Sequence, residues 1–295
     1  MRKLKYLGDV VDIDVLWFYG CSFTAGEELF WQEYHDLIKN ERSPKRRVML
    51  EKKRERQERN HAWPSHLSAK LGVECKNRAK PGNSMDKMRS ELVRDFVNGE
   101  IRPNSGVVFG TTGFMRETHF FNFAGDLRPT GEASDQGGKA WTSVLNMHHD
   151  RLWENISETH RDQKAVEMMR LYYGRIKNPY YHLYNYMNCF HDVMLFCQQH
   201  DLPLYVVQCM ENLDLKYLSQ VVYELSDVGK FSYKTVFENQ EFYENLTYIR
   251  EELDKYIIMK GSSLADMNKP YQQMPRGHPC LETHIEFGTK LAEYF

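Results

Sequence analysis

Short apolar runs that stop at small-residue turns constrain this chain more than any other feature. VLWFY, Val15 to Tyr19, ends at Gly20; SGVVFGTTG, residues 105–113, breaks at Gly110; LPLYVVQC, residues 202–209, follows a turn at Asp201 to Pro203. Unalternating runs of this length are the mark of parallel strands buried on both faces. A further strand is expected from Val73 to about Asn77.

The segments between these runs carry helical signals. In WPSHLSAKLG, Trp63, Leu67 and Leu71 recur every fourth residue and Gly72 supplies the stop. Pro81 and Gly82 form a loop, after which Ser84 is placed to cap a helix reaching Phe96. A long helical pattern rich in Tyr and Met runs from Ala165 to about His200, and an amphipathic helix closes the chain. The turn after Tyr19 is expected to open a helix capped by Ser22 or Thr24, with Glu27 and Glu28 near its positive end, running on toward Leu37. Strand and helix in alternation predict a parallel sheet covered on both faces. Ligands bind at the carboxyl ends of such strands, which is where Ser22, Gly82 and the Gly110 loop fall.

At 295 residues the length suits one large domain or two small ones. Lys plus Arg total 39 against 41 for Asp plus Glu, a net charge of -2 that gives no overall field for nucleic acid or an anionic membrane. Residues 41–60, ERSPKRRVMLEKKRERQERN, are locally basic, but few aromatics are interleaved for base stacking, so a solvated helix or loop is expected there and nucleic acid is not the expected partner. The six cysteines form no C-x-x-C pair, as suits reduced thiols in a cytoplasmic setting. Asp9, Asp12 and Asp14 interrupt the apolar run a signal peptide needs, and no stretch approaches the roughly 20 apolar residues of a membrane span. Residues 114–163 are polar and Gly-rich, as expected of a surface insertion. His148, His149, His160 and Asp150 within it are not read as a metal site, and no cofactor is expected. The tyrosines from Tyr172 to Tyr186 are read as packing.

Three segments bear chemistry if they meet. Ser22 follows a buried strand, so its hydroxyl and its backbone N–H would face a ligand, although a capping role explains GCS equally well. Gly82 lets backbone approach a substrate and offers another N–H, and Asn83 adds an amide. His278, in a Gly-His-Pro loop, is placed to take a proton at the sheet's edge. Cys21 is read as inert packing, and His284 as starting the last helix beside the site.

In order along the chain, GCSFTAGEE, WPSHLSAKLG, NRAKPGNSM, VVFGTTGFMRE and GHPCLETHIEFGTKLAEYF resemble the motif blocks of the SGNH/GDSL-like hydrolase superfamily. The resemblance implies a flavodoxin-like three-layer α/β/α sandwich with a mainly parallel sheet, as one domain spanning 1–295 with insertions at about 38–60 and 114–163. It implies Ser22 as nucleophile, Gly82 as oxyanion donor and His278 as general base. The third block departs from the family pattern, with Thr112 where the family has its oxyanion asparagine. The fifth departs as well, with Pro275 and Arg276 where an aspartate would precede the histidine. Asp266 or a backbone carbonyl are the substitutes on offer. One lost oxyanion donor costs about two to three powers of ten in rate and a lost triad acid about four, which permits a slow enzyme. Arg116 is a candidate for holding an anionic substrate.

The expected activity is hydrolysis or transfer of an acyl group from a small-molecule or carbohydrate ester. The alternative is a protein that keeps the fold for binding or assembly after catalysis is lost. The degenerate blocks also resemble the divergent SGNH-like proteins carried by tailed phages.

Overall fold

The computed structural model of the chain describes residues 2–113, 116–121, 140–145, 179–210, 213, 240–269, 271, 274–275 and 277–295. Five strands build the central sheet: β3 (Val15–Tyr19), β4 (Glu74–Asn77), β5 (Ser105–Gly110), β8 (Leu204–Val207) and β9 (Ile257–Ile258). Every pairing is parallel and the spatial order is β4-β3-β5-β8-β9. Numbered within the sheet, that is 2-1-3-4-5, the flavodoxin-like order, whose switch point lies between the first and third strands. Here the switch point lies between β3 and β5, the strands that end at Gly20 and Gly110.

Alternation along β3 explains the layers. Trp17 and Tyr19 join Val107, Phe109 and Val206 under α5 (Met85–Val97), α6 (Pro179–Gln199) and α7 (Gln240–Asp254), whose Leu92, Phe190 and Ile249 enter the same cluster. Leu16 and Phe18 face the other way, onto α4 (Trp63–Leu71), α8 (Leu264–Met267) and α9 (Leu281–Leu291) through Trp63, Leu67, Leu264 and Phe287. The Trp63 ring meets Phe18 and Phe287 edge-on at 5.4 and 5.6 Å, the favoured geometry for aromatic pairs.

Several elements depart from the sequence expectation. The first helix does not run on toward Leu37: α1 (Ser22–Ala25) is a single turn, ended by Gly26 at φ 76°, and α2 (Trp31–Asn40) begins afresh. Neither Ser22 nor Thr24 caps it, because Cys21 occupies the N-cap position without a side-chain hydrogen bond. The basic stretch is a helix, α3 (Pro44–His61), with Ser43 accepting from the Arg46 N–H at its start. Its only buried residue is Glu58. The N-terminal residues form a hairpin, β1 (Arg2–Tyr6) with β2 (Asp9–Ile13), turning through Leu7 and Gly8 at φ 50° and 92°. Two consecutive positive φ values make the tight turn that matches strand twist, and Leu4 and Ile13 then cover the second cluster.

Within the insertion, β6 (Arg116–Phe121) and β7 (Ala140–Leu145) pair antiparallel. The His148, His149, His160 and Asp150 group lies outside the described residues, as do Tyr172 and Tyr173. Tyr186 is core, whereas Tyr181 and Tyr184 are exposed. No helix among the described residues is long and apolar enough to cross a membrane.

Gly288 lets α9 lie directly on α4, since a Cβ there would sit 2.7 Å from the Trp63 carbonyl oxygen and 3.1 Å from the Leu67 nitrogen. Glycine to alanine in a helix interior ordinarily stabilises by about 0.5–1 kcal/mol. Gly288→Ala is expected to reverse that sign and destabilise by about 1–3 kcal/mol, as overpacking does, measured by urea denaturation with an unchanged m-value.

Candidate active site

Hydrogen bonds bring the four distant candidate segments to the carboxyl ends of β3, β4 and β5. Beyond β4 the chain keeps pairing with β3: the Arg78 N–H donates to the Phe18 carbonyl at 2.8 Å and the Lys80 N–H to that of Gly20 at 3.2 Å. Asn77 Nδ2 reaches the Thr24 carbonyl at 3.0 Å, which fixes this loop to the turn carrying Ser22. Asn83 Nδ2 donates to the Gly20 carbonyl at 3.3 Å and to Glu91 Oε2 at 3.2 Å, and Thr112 Oγ1 donates to the Asn83 carbonyl at 3.0 Å. Both Asn83 amide hydrogens and the Thr112 hydroxyl proton are thus committed to holding the loop, which leaves neither side chain as an oxyanion donor in this arrangement. Gly82 sits at φ 75°, and a Cβ there would touch nothing within 4 Å. Its glycine serves the left-handed backbone, and its N–H hydrogen-bonds to no described residue.

Thr24 accounts for the glycines at the ends of the two strands. A Cβ at Gly20 would collide with Thr24 Oγ1, and one at Gly110 would lie 2.5 Å from the same oxygen. Thr24 Oγ1 also lies 3.6 Å from Cys209 Sγ, just past β8. Ser22 sits on the same single turn, 3% exposed, its carbonyl accepting from the Gly26 and Glu27 N–H groups at 3.0 Å each. Its hydroxyl is hydrogen-bonded to no described residue. Cys21 is fully buried with Sγ 3.5 Å from Met210 Sδ, a packing position.

His278 is carried by a tight loop in which Gly277, at φ 81°, donates its N–H to the Met274 carbonyl at 2.8 Å. Asn268 Oδ1 anchors the far end, accepting from the Cys280 N–H at 3.1 Å and the Thr283 hydroxyl at 2.8 Å. The imidazole lies against the Phe23 ring, centroids 5.4 Å apart. Its Nδ1 is 2.8 Å from Glu28 Oε2 and its Nε2 is 3.5 Å from Glu27 Oε2. No hydrogen bond joins His278 to Ser22. Asp266 is engaged elsewhere: its Oδ2 accepts from the Ser263 hydroxyl at 2.7 Å and its Oδ1 from Lys269 Nζ at 2.6 Å.

Glu27 and Glu28, expected only to favour a helix end, therefore face the histidine. Glu28 is 1% exposed and has φ 74°, a left-handed backbone that costs a non-glycine residue about 1–2 kcal/mol. Its N–H donates to Glu58 Oε1 at 3.0 Å, and its carbonyl accepts from the Trp31 N–H at 2.9 Å. Burial pushes the Glu58 carboxyl up to about 7, with the nearby Arg54 opposing. No periodicity marks such a residue.

Arg116 opens β6 opposite Leu145, and its side chain lies outside what is described. Among the described residues no group of three His, Cys, Asp or Glu side chains could hold a metal ion.

No family model matches the chain, and no curated protein does. Among solved structures, a G-D-S-L family protein from Desulfitobacterium hafniense DCB-2 is similar over 95% of this chain and 99% of its own, with 8% identity and a TM-score of 0.43. A member of the lipolytic protein G-D-S-L family from Veillonella parvula DSM 2008 is similar over 96% and 98%, with 11% identity and a TM-score of 0.40. Identities and TM-scores this low carry no inference about chemistry, and the α/β sandwich rests on the strand order itself.

His284 lies inside α9, fully buried, and its Nδ1 accepts from the Trp63 N–H at 3.1 Å. It closes the start of α4, and it lies near enough to His278 for the two imidazoles to interact electrostatically, beside the candidate site. Burial holds its pKa down to about 3 from 6.5. Above pH 6.5 neither the folded nor the unfolded chain protonates this group; between 6.5 and about 3 only the unfolded chain does, so stability falls with falling pH across that window. His284→Gln, which keeps an acceptor but cannot titrate, is expected to flatten that acid limb in denaturation curves collected from pH 7 to 4.

Proposed function

We propose that this protein is an SGNH-like serine hydrolase of acyl esters, or an acyltransferase using the same acyl-enzyme. The reading is supported by one observation above all: the Ser22, Gly82, Thr112 and His278 segments, far apart in sequence, are tied by hydrogen bonds at the switch point of a flavodoxin-like sheet, the usual ligand position in this architecture. Ser22 Oγ attacks the acyl carbonyl carbon while its proton passes to His278 Nε2. The oxyanion is held by the N–H groups of Ser22 and Gly82, with Asn83 and Thr112 keeping the Gly82 loop in place. Collapse expels the alcohol, which takes the proton from Nε2. Water, or an acceptor alcohol, then releases the acyl group by the same steps in reverse. The substrate class is a small-molecule or carbohydrate acyl ester.

A second reading, the same fold used for binding or assembly, is favoured by the lack of a Ser22–His278 hydrogen bond and by the committed donors of Asn83 and Thr112. Labelling with an alkyl fluorophosphonate separates the two. The hydrolase reading predicts stoichiometric modification at Ser22, abolished in Ser22→Ala and His278→Ala, with turnover of short acyl esters. No modification of the wild-type protein, together with inert esters, decides for binding.

A further inference from the structure

We propose that Glu28 is the carboxylate that positions His278, in place of the aspartate missing upstream of the histidine. This assignment rests on the hydrolase reading. A base working through Nε2 must keep that nitrogen unprotonated and pointed at the nucleophile, which requires an acceptor at Nδ1. Glu28 Oε2 is there at 2.8 Å, within the hydrogen-bond range, placed to accept from an Nδ1–H. Nε2 lies 3.5 Å from Glu27 Oε2, a contact that is an ion pair only when the ring is protonated.

The surroundings hold Glu28 in place. Gly26, in the left-handed region, turns the chain out of α1, and a Cβ there would lie 2.8 Å from both Ala62 Cβ and the Glu58 carbonyl. Glu58 Oε1 then receives the Glu28 N–H, and Trp31 binds its carbonyl. A buried residue whose strained backbone is held at both its N–H and its carbonyl places its carboxylate reproducibly, and strain of this kind gathers at functional sites. Ser22 lies on the single turn of α1 and Glu28 just past the Gly26 that ends it, so one short segment sets both the nucleophile and the group that aims its base. Asp266, with both oxygens engaged by Ser263 and Lys269, is not the orienting group.

The test measures phosphonylation of Ser22 by an alkyl fluorophosphonate, resolving maximal rate from apparent affinity, alongside the ¹⁵N NMR signature of the His278 imidazole. In wild type the neutral ring is expected to carry its proton on Nδ1. In Glu28→Gln the amide can turn its NH2 toward Nδ1, moving the proton to Nε2, and the maximal rate is expected to fall by about two to four powers of ten with affinity kept. Asp266→Asn is expected to label at the wild-type rate. If Glu28→Gln does not fold, Glu28→Asp, which shortens the reach by one methylene, is expected to keep the Nδ1 proton and lose part of the rate. A labelling wild type with an unchanged rate in Glu28→Gln, or in Glu28→Asp where that variant is used, overturns the Glu28 assignment and leaves the hydrolase reading standing. Loss of labelling in Asp266→Asn with Glu28→Gln unaffected overturns it in favour of Asp266. A wild type that never labels overturns the hydrolase reading, and the role of Glu28 with it.

Discussion

The close seat of Thr24 against the ends of three parallel strands is the contact on which the candidate site depends. Its hydroxyl oxygen lies where a Cβ of Gly20 or Gly110 would be, and it reaches Cys209 beyond β8. Any side chain at either glycine would push the single turn of α1 off the sheet, and Ser22 and Glu28 ride on that turn and its continuation. Gly20 and Gly110 are therefore needed to admit a threonine, a different reason from the left-handed backbone that applies at Gly82.

From that seat the remaining parts follow in order. Leaving β4, the chain pairs with β3 as far as Lys80, and Asn83 then clips the Gly82 loop to the Gly20 carbonyl. Thr112, at the end of β5, closes the loop from the other side. The C-terminal segment arrives last, held by Asn268, and presents His278 to Glu28. Glu58 anchors an otherwise exposed, highly charged helix at this one place, so the basic stretch contributes to the site through its buried acid and not through its surface charge.

Much of the fold was legible because burial on both faces writes itself into sequence as continuous apolar runs. VLWFY, SGVVFG and LPLYVV became β3, β5 and β8, and Gly72 ended α4 as its position implied. The N-terminal hairpin was not seen because Leu7-Gly8 is a weak turn signal beside Asn-Gly, and β9, with two residues, is too short for any pattern. That the Ser22, Gly82 and His278 segments meet was legible from strand ends and motif order. The placement of Glu28 against His278 was not, since it comes from a left-handed backbone held by Gly26, Glu58 and Trp31, none of which periodicity reveals. Asn83 and Thr112 were legible as lying beside the Gly82 loop, but the direction of their hydrogen bonds is a tertiary fact.

The central claim is that Ser22, Gly82 and His278 form one reacting centre at the β3–β5 switch point. A crystal structure of the protein after treatment with an alkyl fluorophosphonate tests it most directly. The account predicts a phosphonyl group on Ser22 Oγ, its oxygen within about 3 Å of the Ser22 and Gly82 nitrogens, and His278 Nε2 turned toward the adduct with Nδ1 still on Glu28. An unmodified Ser22, or an adduct whose oxygen points away from Gly82, contradicts it.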